Sequence, residues 1–340
     1  MASEAGNRSR LHHYVSKHYL RRFAFDRVED AEYAKVWVRR RGSATVTSQA
    51  VKNVAVERDY HTLTLGDGSP SDWLDRHISE LEAAAKQVCE RLCADPLDLH
   101  SLTSDERGTV ALYVAVLMAT VPSRLRRSRE SLEAATRTRE RYQGLRKALE
   151  AGGPGVPKNA VHQVFIANSL AVLLERGLWR LLADRRWQLC TVPRNLTETL
   201  ILADDPAIGY VLPEMGLGGW ARLICVPLDP RTLLVMHPVE GPDLEGMALR
   251  SIDVGLLNRK SWSQTERQAV AFDREMLSDK ALAGGLQCPG PIRLAPVGGD
   301  ALAAVGLPAI LGRPRTCTLT HASWTAPWRA AQAVRSQGCE

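Results

Sequence analysis

A run of apolar residues from Val110 to Val121 constrains the fold of this 340-residue chain more than any other feature. Thr103 and Glu106 precede it at the spacing of a capping box, in which two side chains bond the free N–H groups of a first helical turn. A helix this apolar is stable only when protein surrounds it. The sequence therefore predicts a helix that begins near residue 103 and lies at the centre of the core.

The spacing of apolar residues changes between helical and alternating patterns elsewhere in the chain. Short alternating segments flank the helical ones on both sides. The predicted elements are, in chain order, a hairpin at 35–40 and 44–47, helices at 71–93, 103–121 and 159–183, strands at 187–192, 199–202, 222–226 and 232–236, and a helix at 253–275.

This order predicts an α+β fold with a short N-terminal β region, a central helical block, a short, mostly antiparallel β-sheet and a closing helix. We expect one α+β domain over residues 11–278. Residues 1–10 are expected to form a flexible tail. Residues 279–340 are rich in Gly, Pro and Ala, which predicts a second, weakly ordered tail.

Composition excludes several classes of protein. No apolar run reaches the length of about eighteen residues that a membrane span needs, and Met1–Arg8 lacks the apolar core of a secretory signal. The seven cysteines form no C-x-x-C pair, which fits reduced thiols and predicts a cytoplasmic protein. The sequence contains neither a phosphate-binding loop nor a Gly-x-Gly-x-x-Gly motif, so we expect no nucleotide cofactor.

The net charge of +6 is concentrated in one segment. Residues 123–150 contain nine cationic and four acidic side chains, so they alone contribute +5. A basic helix of this kind attracts a polyanion such as nucleic acid by counterion release. The alternative is a solvated helix with i,i+4 ion pairs, such as Glu133 with Arg137. Arg124, at the start of the segment, is a candidate to bind a phosphate or carboxylate through two parallel hydrogen bonds.

Three histidines, His12, His13 and His18, lie close together near the N-terminus. Imidazoles bind transition metals and act as general bases near neutral pH. The spacing matches no zinc signature, so a metal site would need carboxylates from other segments. The alternative is that these rings pack and hydrogen-bond at the edge of a sheet.

Candidate carboxylates occur in two places. Asp204 and Asp205 directly follow the strand predicted at 199–202, and ligand sites often form where a buried strand ends. The alternative is an Asx turn before Pro206, which needs no function. The second place is the helix predicted at 71–93, which carries Glu80 and Glu82.

Several of these residues also match the pattern of a known family. The segment from His12 to Phe23 resembles the opening signature His-His-Tyr-Val-Pro-x-x-Tyr-Leu-x-x-Phe of the bacterial domain-of-unknown-function 4238 family, with Ser16 in place of the proline. The resemblance extends from about Leu11 to Glu275. That family has no assigned chemistry, so the resemblance implies a fold and the location of a site. Its further matches are a helical glutamate at Glu82 or Glu80, Arg124, the Asp204-x-Pro206 step and Leu257-Asn258.

Polar residues so far apart in sequence predict a single pocket that they build together. We expect metal-assisted hydrolysis of an anionic substrate, of which a nucleic-acid phosphodiester is one example, with a divalent metal ion as cofactor. The alternatives are a tailoring enzyme for a small metabolite or peptide, and a non-catalytic binding or regulatory module in a defence or toxin context. The predicted catalytic residues are His13, Tyr14, Glu82 and Asp204, the substrate-binding residues Arg22, Arg124 and Asn258, and the metal ligands His12, His13 and Asp204.

Overall fold

The computed structural model describes residues 11–26, 28–30, 32–64, 69–127, 130, 162–163, 166, 170, 178–211, 222–237 and 248–283. This part of the chain contains runs of antiparallel strands separated by helices. The elements are β1 (Leu11–His13), α1 (Lys17–Arg22), β2 (Lys35–Arg40), β3 (Val46–Ala50), β4 (Val56–Arg58), β5 (Leu63–Thr64), β6 (Pro70–Ser71), α2 (Trp73–Ala94), α3 (Ser104–Thr120), α4 (Leu178–Ala183), β7 (Arg186–Thr191), β8 (Ile201–Ala203), β9 (Ile208–Val211), β10 (Arg222–Pro227), β11 (Thr232–His237), α5 (Ser251–Gln264), β12 (Gln268–Ala271) and α6 (Asp279–Leu282), with 3₁₀ turns at Val51–Asn53, Pro96–Ser101 and Arg274–Leu277.

Two four-stranded antiparallel sheets and two short ribbons form the β part of the described structure. One sheet has the order β7-β11-β10-β9 and the other the order β3-β2-β12-β8. The ribbons pair β1 with β4 and β5 with β6, also antiparallel. The predicted α+β class is confirmed.

The helix α3 lies in the core, as its sequence predicts. Thr103 Oγ1 accepts the Glu106 N–H at 3.2 Å, and the Glu106 carboxylate accepts the Thr103 N–H at 2.9 Å, which completes the capping box. Every side chain from Thr109 to Leu117 is buried. The helix packs against α2 and α4, so the main core forms around it.

The sheet that contains β11 is buried on both faces. Leu234 and Met236 belong to the main core with α2 and α3. Leu233 and Val235 point to the other face and pack in a second cluster with Val254 of α5. A strand covered on both sides is apolar at every position rather than at every second one, which explains the continuous apolar run in this strand.

The prediction of one closing helix over 253–275 is wrong in its second half. The helix α5 ends at Gln264, and β12 then enters the second sheet between β2 and β8. In that sheet Val270 pairs with Val38 on one side and with Leu202 on the other. The strand conformation of residues 268–271 is set by pairing with strands that lie far away in sequence. The spacing of apolar residues within the segment gives no information about such pairing.

Other predictions lie wholly or partly outside the described residues, among them most of the helix predicted at 159–183. The predicted tails at 1–10 and beyond 283 are not described, whereas α6 follows the predicted domain boundary at 278 with Leu282 buried. Of the basic segment, residues 122–127 are helical and most of the remainder is not described. Among the described helices, none has the length and apolar character to cross a membrane.

Candidate functional site

The ribbon of β1 and β4 brings two histidines together. His12 of β1 is buried, and His61 follows β4 after a turn in which Asp59 has a left-handed φ of 55°. The His61 backbone N–H donates to His12 Nδ1 at 2.9 Å. The two rings lie nearly parallel, with an interplanar angle of 9° and centroids 5.8 Å apart. The turn after β4 therefore places two buried imidazoles side by side.

Asp75 completes a group that we call the His12–His61–Asp75 cluster. It lies in the first turn of α2, where the helix dipole stabilises a carboxylate. Its Oδ1 is 3.3 Å from His61 Nδ1. One nitrogen or oxygen atom from each of the three side chains lies within 4.8 Å of the others. The Asp75 side chain is 36% exposed and that of His61 only 2%, so the cluster reaches solvent on the Asp75 side.

The protonation of the cluster follows from burial and from the Asp75 bond. Burial lowers the pKa of His61, against the opposing effect of the hydrogen bond to Asp75. Burial raises the pKa of Asp75, but the hydrogen bond with His61 and the nearby imidazoles outweigh it, and the net pKa is lowered. The pair is thus a neutral imidazole beside an ionised carboxylate at neutral pH.

The second nitrogen of His61 is available for chemistry. Its Nε2 is buried and has no hydrogen-bond partner among the described residues. A histidine whose Nδ1–H faces a carboxylate keeps the lone pair of Nε2 for another partner. This arrangement serves metal ligands and general bases alike.

An aromatic group lies next to the cluster and centres on the buried ring of Tyr60. Its centroid is 5.1 Å from that of His61, 5.5 Å from that of Tyr14 and 4.6 Å from that of His162. The Tyr60 hydroxyl donates to Thr120 O at 2.5 Å, at the end of α3. Burial raises the pKa of Tyr14 to about 12. Tyr14, a predicted catalytic residue, therefore lies beside the cluster as a neutral phenol.

Asp204 is bonded to backbone N–H groups. Its buried carboxylate accepts the N–H of Glu266 at 2.9 Å, of Arg267 at 2.5 Å and of Gln268 at 3.2 Å. Burial raises the pKa of Asp204 to about 6, and the three N–H bonds oppose that rise. The turn held in this way places Arg267 over the Tyr14 ring, with the guanidinium carbon 5.4 Å from its centroid.

Asp205 makes an ion pair with the predicted substrate-binding residue Arg124. The Asp205 carboxylate is fully buried, and its Oδ2 lies 2.8 Å from Arg124 Nε. It also accepts the Ser123 hydroxyl at 2.9 Å. Arg124 Nη2 donates to Ala207 O at 2.9 Å. The guanidinium of Arg124 therefore anchors the start of the basic helix to the end of β8.

The other two predicted substrate-binding residues also bond the backbone. The Asn258 amide donates to Thr199 O at 2.8 Å and accepts the Ile201 N–H at 3.0 Å. These two bonds fasten α5 to the start of β8. Arg22 donates to Lys86 O at 3.1 Å and so ties α1 to α2.

His13 and Glu82, two predicted catalytic residues, are not members of the cluster. His13 leaves β1 on the face opposite His12, and its Nε2 lies 3.4 Å from Val51 O. Burial lowers the pKa of His13 to about 4. Glu82 follows Asp75 by two turns of α2, a rise of about 10 Å, and burial, aided by Asp75, raises its pKa to about 8. Of the predicted metal ligands, the described cluster contains His12 but neither His13 nor Asp204.

Sequence reasoning missed His61, Asp75 and Arg267. A signal for Asp75 exists, because it is an acidic residue in the first turn of a predicted helix. His61 lies between predicted β segments with no partner nearby in sequence. Arg267 falls inside the segment that was predicted as helix, where no local pattern separates it from other surface arginines.

A comparison with family models places the chain. The model described as "Protein of unknown function (DUF4238)" matches residues 11–275, which include the whole His12–His61–Asp75 cluster and the turn that carries Arg267. No curated protein and no solved structure matches the chain. Because the match covers most of its length, the chain belongs to the DUF4238 family.

Proposed function

We propose that this chain is a hydrolase that acts on an anionic substrate at the His12–His61–Asp75 cluster, with a divalent transition-metal ion held by the cluster. The observation that carries the proposal is the approach of two buried imidazoles and one carboxylate, from three elements, to within 4.8 Å of one another. Two imidazole nitrogens and a carboxylate oxygen are the ligands of many catalytic zinc sites, and they leave a position for water.

The orientation of His61 supports this proposal. Asp75 Oδ1 lies 3.3 Å from His61 Nδ1, about the separation of two ligands on one tetrahedral zinc ion, so His61 Nδ1 would give up its proton and these two atoms would hold the metal ion. One nitrogen of His12 would complete the set. A metal ion bound there would lower the pKa of a bound water molecule and so would supply a nucleophile at neutral pH. The partial exposure of Asp75 gives substrate and water a route to the cluster.

The hydrogen bond to His12 favours a second candidate function, hydrolysis without a metal. Because His12 Nδ1 accepts the His61 N–H, the neutral ring of His12 carries its proton on Nε2 and presents a donor there. Binding a metal through His12 would then require the ring to leave this arrangement. In the second candidate, His61 Nε2 takes a proton from water, Asp75 stabilises the imidazolium, and His12 donates to the charge that develops on the substrate.

Metal analysis combined with an ester-hydrolysis assay separates the two candidates. The full-length wild type, His61→Gln and Asp75→Asn are incubated with Zn²⁺ or Mn²⁺, dialysed, and assayed for metal and for hydrolysis of bis(p-nitrophenyl) phosphate. His100→Gln is the matched control, because His100 is exposed in the 3₁₀ turn that follows α2. The metal proposal expects about one ion per chain in the wild type and the control, and a loss of both ion and hydrolysis in the two cluster variants.

Hydrolysis that needs His61 and Asp75 but persists in metal-free protein would support the second candidate. Hydrolysis and metal content that are the same in all four proteins would contradict both. A wild type without either property would favour the alternatives of a tailoring enzyme on another substrate or a binding module.

A further inference from the structure

An exposed ion pair lies at the edge of the cluster. In the β1–β4 ribbon Glu57 stands directly opposite His12, and side chains opposite each other in an antiparallel pair leave the same face. The Glu57 carboxylate accepts a hydrogen bond from the Arg267 guanidinium. The Glu57–Arg267 pair therefore lies beside His12, on the face of the ribbon that carries the cluster.

The ion pair between Glu57 and Arg267 is only weakly stabilising. The side chains are 41% and 44% exposed for Glu57 and Arg267, and ion pairs this exposed contribute at most about 1 kcal/mol to stability. Another anion with better geometry can therefore replace the Glu57 carboxylate. This distinguishes Arg267 from Arg124, whose partner Asp205 is fully buried.

The backbone and the side chain of Arg267 are nevertheless held in position by contacts with the protein interior. Its backbone N–H bonds the buried Asp204 carboxylate, and its guanidinium lies over the Tyr14 ring. The Tyr14 ring in turn contacts Tyr60, which contacts His61. A cation with a fixed base and a weakly held counter-ion is prepared to bind an incoming anion with little loss of entropy.

We infer that Arg267 binds a phosphate group of the substrate beside the His12–His61–Asp75 cluster, and that Glu57 occupies Arg267 until the substrate replaces it. The planar guanidinium matches two phosphate oxygens at once. This inference rests on the proposed function, because it names the substrate class for the same site. The basic helix that begins at residue 122 is not required for it.

Titration calorimetry with inorganic phosphate at low ionic strength tests this role. The full-length wild type is compared with Glu57→Gln, Arg267→Gln, Arg267→Lys and the control Arg58→Gln, each as purified and after EDTA treatment. Arg58 is an exposed neighbour of Glu57 on β4 whose side chain leaves the opposite face, and its substitution makes the same charge change as Arg267→Gln. Thermal unfolding of each variant verifies that it is folded.

We expect Glu57→Gln to bind phosphate about five-fold more tightly than the wild type, because the competing carboxylate is gone. Arg267→Gln should bind at least about ten-fold more weakly, and Arg267→Lys should fall between, because an ammonium cannot make the two parallel bonds. Arg58→Gln should equal the wild type. If Arg267→Gln does not fold, the weaker binding of Arg267→Lys decides the question.

Equal phosphate affinity in Arg267→Lys, Arg267→Gln and Arg58→Gln would overturn the inference, and so would unchanged affinity in Glu57→Gln or an absence of phosphate binding. The EDTA-treated samples separate this result from the proposed function. Loss of phosphate binding on EDTA treatment, with no effect of Arg267, would mean that a metal ion alone holds the phosphate. An Arg267-dependent affinity that EDTA does not change supports the inference even if no metal is found in the cluster.

Discussion

Two groups of polar side chains in the described structure differ in how many of their buried atoms have a hydrogen-bond or ion-pair partner. At the end of β8, Asp204 accepts three backbone N–H groups and Asp205 bonds Arg124 and Ser123. Beside the β1–β4 ribbon, His61 Nε2 is buried without a described partner, and the Asp75 side chain reaches solvent. The sequence predicted one metal ligand in each group, Asp204 in the first and His12 in the second. The bonded group holds the fold together, and the group with an unused nitrogen is the one suited to chemistry.

The largest effect should come from Asp205→Ala, which leaves the half-buried Arg124 without its partner. Breaking a buried ion pair costs about 3–5 kcal/mol. We expect the free energy of unfolding in urea to fall by that amount. Asp205→Asn should lose less, because it still bonds Ser123. A loss below about 1 kcal/mol in Asp205→Ala would contradict the structural role assigned to the end of β8.

Substitutions in the His12–His61–Asp75 cluster should reduce activity strongly and stability little. His61→Gln should reduce hydrolysis by at least about a hundred-fold, the size typical of losing a general base or a metal ligand. Its unfolding free energy should fall by less than that of Asp205→Ala, because the change removes a hydrogen bond to the partly exposed Asp75 and breaks no buried ion pair. Parallel measurement of kcat/KM and urea unfolding tests the contrast, which would fail if stability fell as much as in Asp205→Ala.

A pH dependence of intermediate size should come from Glu82. In the folded chain its pKa is raised from 4.5 to about 8, chiefly by burial. Between those values the folded state holds a proton that the unfolded state has lost, so stability falls as pH rises, by at most about 1.4 kcal/mol per pH unit. Glu82→Gln should flatten this slope and be more stable than the wild type at pH 8.

The control for that measurement is Glu90→Gln, an exposed residue of the same helix. Urea unfolding at pH 5, 6, 7 and 8 gives the slope for each protein. Identical slopes for the wild type and Glu82→Gln would show that Glu82 is ionised in the folded protein.

The smallest effect is expected for the exposed pair of Arg126 with Glu130, on the helix that Asp205 anchors. Exposed i,i+4 pairs contribute about 0.3–0.5 kcal/mol. Glu130→Gln should therefore change the free energy of unfolding by no more than about 0.5 kcal/mol. A loss approaching that of Asp205→Ala would mean that surface charges, and not the buried carboxylate, anchor this helix.

The sequence predicted correctly those elements that are set by residues close together in the chain. The capping box at Thr103 and Glu106 located the start of α3, and the apolar run located its burial. The strand β12 was missed because its place is decided by pairing with β2 and β8, which lie far away in sequence. A four-residue strand carries too few positions to distinguish alternation from helical spacing.

The same reasoning explains how much of the candidate site was predicted. His12 was identified because it lies in an unusual segment, but its partners are brought to it only by the turn after β4 and the start of α2. Asp204 was predicted as a ligand because an aspartate after a strand is a common metal-site pattern. The same pattern occurs when the carboxylate accepts backbone N–H groups, so the sequence does not distinguish the two cases. Only the packed structure reveals which donors reach such a carboxylate.

Anomalous diffraction at the zinc edge, from crystals of the full-length chain grown with Zn²⁺, tests the central claim most directly. The account predicts an anomalous peak about 2 Å from His61 Nδ1 and from a carboxylate oxygen of Asp75. The same peak should be absent from crystals of Asp75→Asn. Zinc bound at Asp204 or at the cysteines, with no zinc at the His12–His61–Asp75 cluster, would contradict the claim that the cluster is the metal centre.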